Sequence, residues 1–237
     1  MTAHRLSASS VHLARHCLHS FREDVPVPAD KPGPAAKKGT GFHLVVESYL
    51  SDGVYPETAD ASFGLFSAWL DWWDRSPVSR HPVRAELGLV LNAETGTVRE
   101  IAHAGHRDYG EIDEDEIPMT IDLAADSGER AIVFDWKTGR PGDPCEAQLM
   151  TNAVAWALHA GRFSARAQAV YVTDVGVIEA EPLRLDALDL DAHRATLRRM
   201  LRRLPTAEPV PGPHCKGHYC RIRETCKSHR AWLKEQP

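Results

Sequence analysis

An acid and a lysine stand two residues apart at the end of an apolar run, Ile132-Val133-Phe134-Asp135-Trp136-Lys137-Thr138-Gly139. On a strand, period two puts Asp135 and Lys137 on one face. A carboxylate there holds a hard divalent cation, and the ammonium orients or activates an attacking water and offsets charge on a phosphate. Taken alone, D-x-K at a strand end reads most simply as a solvated edge pair. Asp122, in Ile121-Asp122-Leu123, changes that balance. Antiparallel pairing across a Ser127-Gly128 turn sets it beside Asp135, so that two carboxylates serve one metal. Magnesium keeps several waters and needs only one or two protein carboxylates, so the rest of its shell is left to water and substrate oxygens.

Further groups flank this pair. Gly39-x-x-x-His43 precedes it on a predicted helix and Gln148 follows it on another. Glu47 and Glu86 are additional acids, each more simply a helix-surface or strand-end charge. The five cysteines lack the even count and export signal of a disulfide framework, which points to thiols used as metal ligands. Cys215-x4-Cys220-x5-Cys226 lies in a proline-bounded tail and Cys17 lies near the start, while Cys145 reads as an ordinary thiol. Four thiolates suit an iron-sulfur cluster, and closing so long a loop removes much unfolded-chain entropy. A zinc ion held by Cys215, His218, Cys220 and Cys226 is the alternative.

The elements that must position these groups follow from periodicity. Ser7 to Ser10 offers an N-cap for a short helix carrying Cys17; Val25 to Pro34 is a proline-rich loop; Lys37 to Leu50 and Ser62 to Trp73 have helical spacing. Strands are expected over Val83–Leu91, Thr97–His103, Met119–Ala125, Ala131–Trp136 and Ala167–Thr173, with a helix over Glu146–Ala160 between the last two. Leu188–Leu204 reads as a basic amphipathic helix, ended by Pro205 and the prolines after it. At 237 residues, 43% hydrophobic and 26% charged, the chain fits one domain over residues 1–237. The net charge of -5 does not mark a nucleic-acid binder, yet basic residues gather in Arg194–Arg203 and Lys216–Lys234. No apolar run reaches the roughly 18 residues of a membrane span, so no membrane partner and a cytoplasmic location are expected.

In this order, the G-x-x-x-H helix, the acid of Ile121-Asp122-Leu123, the D-x-K-T-G strand end and the glutamine-led helix resemble the RecB-like branch of the PD-(D/E)XK nuclease superfamily. One cysteine before that core and three after it resemble the iron-sulfur nucleases of the AddB and CRISPR-associated RecB-like groups. The resemblance implies an α/β fold with a restriction-endonuclease-like central mixed sheet flanked by helices, and a cysteine-rich cap built from about residues 7–24 and 205–232. It implies that His43, Asp122 and Asp135 bind Mg2+ or Mn2+, that Lys137 serves the water and that Gln148 supports the site. It also implies a [4Fe-4S] cluster on Cys17, Cys215, Cys220 and Cys226. The expected activity is exonuclease cleavage of single-stranded DNA or DNA ends, in recombination, repair or CRISPR-type defence, beside a helicase or CRISPR adaptation proteins. Two departures stand out: Asn152 occupies the tyrosine position of Q-x-x-x-Y, where it would donate to a phosphate, and C-x4-C replaces C-x2-C. The alternative expectation is a zinc-stabilised DNA-binding or assembly module that keeps the fold with little cutting.

Overall fold

A strand that is apolar on both faces needs cover on both sides of its sheet. Val83–Asn92 (β1), Glu116–Asp126 (β3), Ala131–Lys137 (β4) and Ala165–Thr173 (β5) are of this kind, and they form the centre of a seven-stranded sheet. The structure, a computed structural model, describes residues 6–27, 33–58, 60, 62–101, 108–139, 141, 145–215 and 220–234. Val98–Ile101 (β2) and Gly176–Glu179 (β6) extend the sheet to the order β2-β1-β3-β4-β5-β6, and Leu183–Leu185 (β7) also pairs with β5. Among the described residues only β4 and β5 run parallel, because the helix Glu146–Ala160 crosses between them; the other pairings are antiparallel.

Helices cover both faces, so the expected α/β class holds. Short Val11–Ala14 (α1), the crossover helix (α4) and Ala187–Arg203 (α5) pack on one side, where Leu6, Val11, Leu149, Trp156 and Leu197 meet Leu89, Ile121 and Val133. Pro34–Asp52 (α2) and Phe63–Trp73 (α3) pack on the other, where Phe42, Trp69 and Trp72 meet Leu123, Phe134 and Trp136. The last helix among the described residues is Lys227–Lys234 (α6). Among the described residues no helix is long and apolar enough to cross a membrane.

Ile117, Met119 and Ile121 of β3 belong to the α4 side, whereas Leu123 and Ala125, of the same parity, belong to the α2–α3 side. Period two is therefore broken at Asp122. In β1 the same break falls at Glu86, between Val83 and Leu87. The β1–β3 ladder pairs Ala85 with Leu123 and Leu87 with Ile121, and skips Glu86 opposite Asp122. Glu86 has φ +44°, alone among the described non-glycine residues in its positive φ. Such a backbone costs on the order of 1–3 kcal/mol and persists only where its surroundings hold it.

The expected boundaries shift modestly. The first helix stops at Ala14, so Cys17 is not carried on it but follows in extended conformation at φ -155°, ψ 98°. The strand expected to reach His103 ends among the described residues at Ile101, and residues 102–107 lie outside them.

Candidate active site

Helix α2 comes close to the end of β4 because of a glycine. A Cβ on Gly39 would stand 2.9 Å from Thr138 Oγ1, inside van der Waals contact, so a larger residue would require the Thr138 side chain or the helix to shift. One turn further on, His43 then sits over the break in the sheet. Its Nδ1 lies 3.0 Å from Glu86 Oε1 and 3.5 Å from Asp122 Oδ1. One ligand atom from each of His43, Glu86 and Asp122 falls within 4.8 Å of the other two. An imidazole nitrogen and two carboxylates are donors that suit a hard divalent cation.

Asp135 stands beside this triad with different partners. Pairing of Leu123 with Phe134 starts the β3–β4 ladder one step away, so Asp122 and Asp135 are the next residues across the two strands. There the ladder opens, and the Asp122 carboxylate takes the Trp136 N–H through Oδ2 at 2.6 Å. Lys137 Nζ reaches Asp135 Oδ2 at 2.7 Å, and Gln148 Nε2, from the first turn of α4, donates to Asp135 Oδ1 at 2.7 Å. Lys137 closes the triangle by donating to Gln148 Oε1 at 3.2 Å. The expected groups His43, Asp122, Asp135, Lys137 and Gln148 thus share one site, and Glu86 joins it as the third member of the ligand cluster.

Charge in this pocket is concentrated. Burial drives the Asp122 carboxyl up to about 7; the His43 imidazolium opposes this, and the Asp135 and Glu86 carboxylates add to it. Burial alone would lower His43, but Asp122, the hydrogen bond to Glu86 and the charge of Asp135 outweigh it and push the imidazole up to about 9. Burial likewise works against charge on Lys137, and Asp135 and Asp122 overcome it, holding the ammonium above the usual lysine range. Left to itself, the cluster of acids offsets its charge with a proton on His43, so a metal ligated there must displace that proton.

The site opens into a cleft of about 610 Å³ whose walls include Ser7, Thr40, Tyr109, Thr120 and Thr138. Asn152 is not in that wall. It is 0% exposed on α4, with neither side-chain polar atom hydrogen-bonded, so the expectation that it donates to a phosphate is corrected. Trp69, Trp72 and Trp73 are core residues. Two arginines of α5 are engaged within the chain: Arg194 reaches the carbonyls of Ala93 and Glu94, and Arg202 pairs with Glu94 at 2.6 Å.

The two ends of the chain meet on the α4 side. His19 Nδ1 lies 3.0 Å from the Ala207 carbonyl, His16 stacks on His214 with ring centroids 5.5 Å apart, and the Arg221 guanidinium lies 5.1 Å over Phe21. The Cys220 thiol is pushed up by burial, eased by a hydrogen bond with the Ile222 backbone, and raised further by Cys215, Cys17 and Cys226. Cys17, far from the other three in sequence, therefore lies within electrostatic reach of Cys220. Cys145 lies elsewhere, 3.9 Å from the Tyr171 hydroxyl, and His218, the alternative zinc ligand, lies outside the described residues.

Comparison with known proteins adds a family. The model of the PD-(D/E)XK nuclease superfamily matches residues 5–227. No curated protein matches the chain. Among solved structures, the crystal structure of SSO0001 is similar at 18% identity and a TM-score of 0.38, covering 84% of this chain and 89% of that one.

Proposed function

This chain belongs to the PD-(D/E)XK nuclease superfamily, and from that premise we propose that it is a Mg2+- or Mn2+-dependent deoxyribonuclease of the RecB-like iron-sulfur kind, acting on single strands or DNA ends. The observation that carries the reading is the meeting of the His43–Glu86–Asp122 ligand cluster with the Asp135–Lys137–Gln148 network where the sheet opens. A divalent ion bound there supplies Lewis-acid polarisation of a phosphoryl oxygen and acidifies water. His43, Glu86 and Asp122 would hold it, with Asp135 completing the acidic wall.

The remaining groups divide the work. Lys137 presents the one ammonium of the Asp135–Gln148 network to the cleft, where it steers the attacking water and stabilises charge gathering on the phosphate oxygens. Gln148 fixes both Asp135 and Lys137, so neither loses rotamer freedom when substrate arrives. Asp122, anchored on the Trp136 N–H, is held in place by β4 itself. The same reading assigns Cys17, Cys215, Cys220 and Cys226 to a structural [4Fe-4S] cluster that would join segments 7–24 and 205–232 into a cap. DNA as partner, a cytoplasmic location and a helicase or CRISPR adaptation assembly belong to the same reading.

The test is cleavage of 5′-labelled single-stranded DNA with Mn2+ or Mg2+. Lys137→Ala and Asp122→Asn, with unchanged circular dichroism, are expected to lose at least about 100-fold in rate, and chelation is expected to stop the wild type. Equal rates in wild type and variants, or cutting that survives chelation, would refute the proposal.

A further inference from the structure

Tyr109 is a cleft residue that the proposed chemistry leaves unused. Trp136, the other large aromatic of the cleft wall, is 1% exposed and belongs to the core. Tyr109 is half-buried, and its hydroxyl lies 2.8 Å from Thr120 Oγ1, two residues before Asp122 on β3. The ring therefore stands in the wall beside the acids.

Its backbone is held equally firmly. Arg99 of β2 donates to the Tyr109 carbonyl at 3.4 Å and to the Glu111 carbonyl at 2.6 Å, and it pairs with the buried Glu116 at 3.1 Å. Glu116 in turn accepts the Asp113 N–H at 3.1 Å. Gly110, at φ +69°, turns the chain directly after the ring, and its N–H donates to Asp108 Oδ1 at 3.1 Å. An aromatic side chain fixed at both its backbone and its hydroxyl offers contact area with little left to order on binding.

Charge decides what such a ring would touch. The floor of the cleft is carboxylate-rich, and a phosphate is tolerated only beside Lys137 and a bound cation. The neighbouring nucleotide must meet the wall with an uncharged part, and the flat part of a nucleotide is its base. We propose, resting on the nuclease reading above, that Tyr109 stacks on an unpaired base adjacent to the scissile phosphate and so biases the cleft toward single-stranded substrate. Stacking requires an exposed base face, which a duplex interior does not offer.

The experiment compares Tyr109→Phe and Tyr109→Ala with the full-length wild type. Steady-state cleavage of single-stranded DNA gives KM and kcat, and quenching of a 2-aminopurine base in a single-stranded oligonucleotide, read in a Lys137→Ala background, gives stacking without cutting. Tyr109→Ala is expected to raise KM about tenfold with kcat within a few-fold, and to abolish quenching; Tyr109→Phe is expected to keep both near wild type. A phenylalanine variant as impaired as the alanine one would make the Thr120 hydrogen bond the real contribution and overturn stacking. So would an alanine variant with unchanged KM and quenching, and if that protein still cuts, the nuclease reading stands alone. Quenching that depends on Tyr109 in a protein that never cuts would uphold the contact and remove the nuclease reading.

Discussion

Glu86 has a backbone that an L-residue rarely adopts, φ +44°, and a carboxylate within reach of His43. These two facts predict opposite effects of one substitution. Glu86→Gly removes a ligand and a like charge facing Asp122, and it also removes the left-handed strain, worth roughly 1–2 kcal/mol. Metal-dependent cleavage is expected to fall at least about 100-fold while the metal-free thermal midpoint holds or rises, as calorimetry would read it. A midpoint that drops together with activity would show Glu86 to be structural. Its place in the site was faint in the sequence, because both the broken ladder and the positive φ depend on which residue of β3 lies opposite. Asp122, Asp135 and Lys137 were legible because charged residues inside apolar strands have few other reasons to be there. Asn152 was misread, since helical spacing places it on the same side as Gln148 without telling which turns are covered.

At the scale of elements, helices α4 and α5 meet through a buried histidine. His193 Nε2 lies 2.9 Å from Thr151 Oγ1 and its Nδ1 lies 3.3 Å from Arg15 Nη2. Burial first, then the Arg15 charge, lowers its pKa to about 4. Between the ordinary value near 6.5 and this lowered one, the unfolded chain takes up a proton that the folded chain refuses. His193 therefore supports the fold above pH 6.5, and that support is lost as pH falls toward 4. Urea unfolding at pH 7 and pH 5 is expected to show roughly 2 kcal/mol lost through this group, and His193→Gln to flatten the difference. An unchanged slope in the variant would assign acid sensitivity elsewhere. Long elements were legible: α4 spans Glu146–Ala160 as its periodicity predicts. β6 and β7 were not, because at 4 and 3 residues, and lacking a fully buried run, their strand character comes from pairing with β5.

For the molecule as a whole, a clasp joins segment 16–21 to segment 207–221 across the α4 side. With a [4Fe-4S] cluster in the cap, anaerobically purified protein is expected to be brown with about four irons per chain. Cys226→Ala is expected to bleach it and lower its thermal midpoint; a colourless wild type carrying zinc would replace the cluster with the zinc alternative. The same clasp has a consequence for biosynthesis. The stretch that lends Ser7 to the cleft continues to His16 and His19, whose partners His214 and Ala207 are translated well after the residues of the site. In a chain still being made, His43, Glu86 and Asp122 are present before those partners are. Under the proposed reading, a chain cut short before Ala207 carries the metal ligands His43, Glu86 and Asp122 without the contacts that secure the amino-terminal wall of the groove.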